Sequence, residues 1–213
     1  MELVNLNIDF DPKQYTTETL IKLLNEWSND PASHPEIEGW YKSGMPPIVS
    51  NKTKERLEYE DYSRIYEHAK GLQAAGAYEQ SIALYYYILM KYKPVGMSYY
   101  EEPAALLSSL TQYDEAISIY NMALDNIHVF SGPTRECILR EFPMNIEKCI
   151  NFKKAVSHIT GILTASPGIL QNDLLASLPE YDLYDLKSII CSLEKAGKLR
   201  KIKQGRSISL FLN

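Results

Sequence analysis

The side chains best suited to chemistry gather near the C-terminal end. After Glu194 come Lys195, Lys198, Arg200, Lys201, Lys203 and Arg206, six cations with no acid among them. Cations at this density suit an anionic partner, above all nucleic-acid phosphate, through contacts that depend on salt and not on base sequence. Tyr184, Lys187 and Ser188 lie just upstream, in the helix before these cations. The competing structural reading is an edge hairpin whose lysines keep other strands away. The helix entry itself argues against a duplex. Glu180, Asp182 and Asp185 would repel phosphate, and no Arg, Asn or Gln stands in that half-helix to read base edges. Those acids also have a plain structural use, since Asp182 can cap the helix and an early acid suits its dipole.

The chain proposes no reaction. It has no glycine-rich phosphate loop, no G-x-S-x-G turn and no C-x-x-C pair. His34, His68, His128 and His158 are far apart, and none has a second His or Cys at metal-ligand spacing. Cys137, Cys149 and Cys191 are odd in number and widely spaced, which excludes a full disulfide framework and reads as small apolar side chains in a reducing compartment. The expectation is a protein that is not an enzyme and needs neither metal nor cofactor.

Tyrosine is the compositional oddity. Twelve of the sixteen lie between Tyr59 and Tyr120. Repeated helix packing accounts for Tyr78, Tyr85, Tyr113 and Tyr120. It leaves Tyr59, Tyr66, Tyr86, Tyr92 and Tyr99 as candidates to line a groove for a protein or peptide, because tyrosine offers large contact area and one hydroxyl.

The elements that must position these groups are mostly helices. Leu20, Leu23, Leu24 and Trp27 form an apolar stripe over 17–27, and a breaker-rich loop with Trp40 and Tyr41 follows. A long helix starts near Asn51, buries Leu57, Tyr62, Ile65, Tyr66, Ala69 and Leu72, and stops at Gly76. The stretch 76–82 then returns as 111–117: Tyr78 matches Tyr113, Ser81 matches Ala116, Ile82 matches Ile117, Tyr85 matches Tyr120 and Leu89 matches Leu124, always 35 residues on. The pattern continues to Phe142-Pro143, after which a helix over about 145–165 has no breaker before Gly161. A shorter helix with Leu174, Leu175 and Leu178 comes next, then a helix over about 182–196 stopped by Gly197. Strands over 198–203 and 206–212, joined at Gln204-Gly205, close the chain.

Two resemblances follow from these residues. The 35-residue matches, with small Ala69, Ser81, Ala104, Ala116 and Ala123 where helices approach closely, resemble tetratricopeptide repeats over about 62–95 and 97–130. Ile88 and Pro103 depart from that pattern, and two repeats are fewer than an independent stack needs, so the flanking helices, before residue 62 and after 131, are expected to act as degenerate repeats or caps. The run Leu193-Glu194-Lys195-Ala196-Gly197-Lys198-Leu199 and the order helix, short strand, helix, turn, helix, hairpin resemble a winged helix over about 155–213. The fold class expected is therefore mainly α: a helical-repeat, tetratricopeptide-like array with a C-terminal winged-helix domain. The repeat domain with its N-terminal helix spans 1–150, and the winged-helix domain 151–213.

Charge divides along the same line. Residues 1–152 carry thirteen basic and twenty-two acidic side chains, and residues 153–213 carry nine and five. The longest apolar run, Ile82–Met90, is nine residues, where a membrane helix needs about twenty. Met1-Glu2-Leu3-Val4-Asn5 has neither the basic stretch nor the long apolar core of a secretory signal, so none is expected. The chain is expected to be cytoplasmic, or nuclear in a eukaryote, with no membrane partner.

Two functions fit. One is a regulator whose repeats bind a protein or peptide while the winged helix holds double-stranded DNA. By resemblance, Tyr184, Lys187 and Ser188 would lie on the helix that enters the groove, and Lys198, Arg200, Lys201, Lys203 and Arg206 would lie along phosphates. The other is a scaffold or adaptor in which the winged helix also binds protein. The basic wing favours the first and the acidic helix entry the second, and the regulator is the leading expectation.

Overall fold

A computed structural model describes residues 19, 22–23, 26–27, 30–37, 54–205 and 207–213, the side chains of 31, 54–61 and 204 excepted. Residues 19, 22–23 and 26–27 of the expected first helix are helical. The loop with Trp40 and Tyr41, the side chain of Leu57 and all of Arg206 lie outside the described residues. The described chain is mainly helical, with a two-stranded sheet at its C-terminal end. It divides into two compact units, 1–99 and 100–213.

In the first unit, α1 (Lys54–Ala74) packs on α2 (Tyr78–Tyr92). Every residue of α2 from Ser81 to Leu89 is buried, the behaviour of a helix covered on all sides. Ala69 and Ser81 are both at 0% exposure, and the Ser81 hydroxyl donates to the Ala69 carbonyl at 2.8 Å. A larger residue at either place would drive the helices apart. Trp27 stacks on Tyr87, with ring centroids 5.0 Å apart.

The second unit holds most of α3 (Ser98–Ser109), then α4 (Tyr113–Asp125) and the long α5 (Gly132–Ala165). Its remaining elements are α6 (Gln171–Ala176), α7 (Leu183–Lys195), β1 (Leu199–Gln204) and β2 (Ser207–Leu212). The unbroken helix expected over 145–165 is there, but it begins at Gly132 and runs through Pro143. Pro143 interrupts the ladder only on the exposed side, where water can reach the freed Leu139 carbonyl. On the inner side Ile138, Phe142, Cys149, Phe152, Ala155, Ile159 and Leu163 remain in line. The division expected near residue 150 falls inside this helix.

The 35-residue offset reappears in backbone detail. At the end of α1 the Ala77 N–H donates to Leu72 and the Gly76 N–H to Gln73. At the end of α3 Gln112 donates to Leu107 and Thr111 to Ser108. Such a cap needs a left-handed residue. Gly76 supplies φ +79° without cost, whereas Thr111 holds φ +62° with a branched side chain. Ala104 and Ala116, the counterparts of Ala69 and Ser81, are also at 0% exposure.

At the C-terminal end the last turns of α5 form a small core with Leu174, Leu178, Leu186, Ile189, Ile190, Leu193, Leu199 and Leu210. β1 and β2 pair antiparallel from Leu199↔Leu212 to Gln204↔Ser207, across a two-residue turn. A third segment joins β2 from the other side: the Gly168 N–H donates to Leu210 O at 2.9 Å, and the Leu210 N–H donates to Ile169 O at 3.0 Å.

Candidate interaction surface at the C-terminal helix and hairpin

α7 starts where Asp182 accepts from the Tyr184 and Asp185 amides at 2.8 and 3.1 Å, so this acid serves as the helix cap. Leu186, Ile189, Ile190 and Leu193 fix which side is buried. The same rotation leaves Leu183 47% and Tyr184 81% exposed, with Lys187, Ser188 and Cys191 also exposed. The turn before the helix is tied to α5, because the Tyr181 hydroxyl lies 2.9 Å from His158 Nδ1 and Glu180 lies 3.6 Å from the same nitrogen. Asp185 sits 3.5 Å from the Lys148 ammonium. The acids expected at the helix entry, Glu180, Asp182 and Asp185, thus flank exposed Leu183 and Tyr184 along the chain.

The cations do not form one array. Strand alternation separates Arg200 from Lys201 and Lys203. Arg200 lies over the Phe211 ring, 5.2 Å from its centroid. Lys201 bonds Glu194 at 2.7 Å and approaches the Cys191 sulfur at 3.7 Å. Burial opposes its charge, but the Glu194 hydrogen bond and the Cys191 sulfur more than offset this and hold its pKa above the ordinary lysine value. Lys195 donates to the Ser109 hydroxyl at 2.9 Å and Lys198 to the Thr111 hydroxyl at 2.7 Å. Lys203 is exposed and makes no ion pair among the described residues.

The tyrosines expected to line a groove are placed otherwise. Tyr66 and Tyr86 are buried, at 7% and 8% exposure, and Tyr92 and Tyr99 are half-buried. The side chain of Tyr59 lies outside the described residues. Tyr62 meets Tyr92 at 5.6 Å and Tyr99 at 5.2 Å, and Tyr66 meets Tyr99 at 4.6 Å, distances of edge and tilted ring packing. The expectation of open rings is not met at Tyr66 and Tyr86, because the first unit uses them as core.

Two groupings were not visible in the sequence. His34 joins Glu36 through Nδ1 and Glu26 through Nε2, each at 3.1 Å. The Glu36 bond is the largest influence, and the histidine pKa rises above its ordinary value despite burial. The second grouping is a cleft that collects residues from Ala105 to Ser192. Among the described residues, no three His, Cys, Asp or Glu side chains are placed to hold a metal ion, and no helix is long and apolar enough to cross a membrane. No protein-family model matches the chain, and no curated protein or solved structure matches it either.

Proposed function

We propose that this chain is a non-enzymatic adaptor, in which tetratricopeptide-like helix pairs carry a winged-helix-like C-terminal segment that binds protein through the start of α7. The observation that carries this reading is the exposure of Tyr184 and Leu183 among Glu180, Asp182 and Asp185. Tyrosine is one of the residue types enriched at the centre of protein interfaces, and Leu183 extends the exposed apolar area beside it. Three carboxylates at the same place oppose a phosphate backbone. Lys201 is already neutralised by Glu194.

A second reading keeps the six cations after Glu194 as a DNA-binding wing. It is favoured by Lys187 and Lys203, both exposed and without an ion-pair partner among the described residues. Titration of the whole chain with random duplex DNA at low and at physiological salt separates the two. The adaptor reading expects no saturable binding even at low salt. Saturable binding that weakens by about 0.9 log units per phosphate contact for each log unit of salt supports the second reading and overturns the first. Exchanging Lys201, Lys203 and Arg206 for alanine would then lower that slope.

A further inference from the structure

Within the second unit a cleft of about 240 Å³ opens between α3, α5 and α7, floored by Tyr120, Cys149 and Phe152. It is much larger than a single water requires and smaller than the usual drug-sized pocket, so an occupant would have on the order of ten non-hydrogen atoms. Its lining is rich in hydrogen-bonding side chains. Tyr120 is only 5% exposed, yet its hydroxyl has no partner among the described residues. The Asn145 amide and the Ser188 and Ser192 hydroxyls are likewise without side-chain partners there. Tyr120 is the buried member of the four, Asn145 and Ser192 are half-buried and Ser188 is exposed, so one space is bordered by four hydrogen-bonding groups open to an incoming ligand.

The floor carries no charge. Burial, with Cys149 and Glu101 near, pushes the Tyr120 phenol above its ordinary range, so it remains an O–H donor. Burial likewise raises the Cys149 thiol, against the lowering effects of Ser108 and Lys148. The cations stand higher. The Lys148 ammonium lies 5.1 Å from the Phe152 ring centroid and 3.5 Å from Asp185, and Lys195 holds Ser109 on the rim. Phenol, hydroxyl, amide and ammonium groups together favour a ligand that accepts many hydrogen bonds and carries negative charge.

We propose that this cleft binds a small free oxyanion, the phosphate or carboxylate group of a small molecule, with Lys148 supplying the charge and Tyr120, Asn145, Ser188 and Ser192 the hydrogen bonds. Asp185 is its internal competitor: it occupies Lys148 in the empty cleft and repels the arriving anion. Binding at this site would loosen the Lys148–Asp185 tie and so reach the first turn of α7.

The test titrates the full chain, at constant ionic strength, with inorganic phosphate and separately with acetate, following backbone amide shifts. Saturable shifts centred on Asn145, Ser188 and Ser192 are expected, and the anion that binds more tightly identifies the group. Lys148→Met, at an exposed position, should weaken binding about tenfold or more, the usual effect of a lost charge-assisted hydrogen bond. Tyr120→Phe keeps the ring that packs 4.9 Å from Phe142. It should weaken binding about fivefold while leaving the melting temperature nearly unchanged. Asp185→Asn should tighten binding about threefold. Absence of saturable shifts with both anions overturns the proposal. So does equal binding by wild type, Lys148→Met and Tyr120→Phe, which would mean diffuse attraction to surface lysines.

Discussion

Replacing Gly168 by alanine tests whether the hairpin is held to the end of α5 by a backbone that tolerates no side chain. Gly168 has φ +83°, and a Cβ built there would meet Phe211 Cζ at 2.9 Å and Cε1 at 3.0 Å. Two costs add. An L residue in the left-handed region costs about 1–2 kcal/mol. Moving Phe211 off its rotamer, together with the Arg200 guanidinium over its ring, costs about 1 kcal/mol more. The reference variant is Gly197→Ala. That glycine has φ +68° with nothing within 4 Å of its added Cβ, so it bears the conformational cost alone. Gly168→Ala should therefore lose about 2–3 kcal/mol and Gly197→Ala about 1–2 kcal/mol. Both tryptophans precede residue 99, so the readout is hydrogen exchange at the Leu210 amide, which donates to Ile169. A loss of about 2 kcal/mol speeds that exchange roughly thirtyfold. Equal losses in the two variants, or an unchanged Leu210 rate in Gly168→Ala, would refute the contact argument.

Three further outcomes are expected. The His34 pKa is raised above its ordinary 6.5 by its carboxylate partners, so its contribution is full below 6.5 and is lost as pH rises through the higher folded value. Glu36 is lowered from 4.5, first by a backbone N–H and then by His34, so its contribution is present above 4.5 and fades as pH falls through the lower folded value. Urea unfolding of the first unit, followed by tryptophan emission, should thus show greatest stability between 4.5 and 6.5, and His34→Gln should flatten the upper limb. Ala69→Leu should destabilise the same unit by about 3 kcal/mol through overpacking against Ser81, whereas Ser81→Ala should cost about 1 kcal/mol, measured by the same curves. A maleimide should alkylate exposed Cys191 in the native protein well before buried Cys149, as read by mass spectrometry of peptides.

Several element ends were legible because they carry a local cause. Gly76 and Gly197 both take left-handed φ, Asp182 caps α7, and Gly205 turns the hairpin. The passage of α5 through Pro143 was not legible. Whether a proline ends a helix depends on which side it falls, and that is set by Phe142 and Cys149 packing inward from positions far along the chain. The burial of Tyr66 and Tyr86 was not legible for a related reason. Tyr85, Tyr86 and Tyr87 are all buried, which periodicity cannot anticipate for an amphipathic helix. The one available signal was the uncharged run from Ile82 to Met90, which suits a helix covered all round.

The candidate surface shows the limit of counting charges. The sequence correctly names six cations after Glu194, but a charge becomes a site only through its neighbours. Glu194 and Lys201 are seven residues apart, yet the turn at Gly197 brings them to 2.7 Å. Arg200 and Lys201 are adjacent, yet the pleat sends them to opposite faces. The cleft lies still further beyond local reading, since Ala105, Tyr120, Lys148 and Ser192 meet only after four helices have packed. What the sequence could supply there was residue type alone: hydroxyls, an amide and an ammonium with no acid between them on the lining. Asp185 is then the instructive exception. Its place in the first turn of α7 satisfies the helix dipole, while its distance to Lys148 lets the same carboxylate regulate the cleft. Substituting asparagine there separates the two duties, because it removes the charge facing Lys148 and leaves Asp182 as the cap.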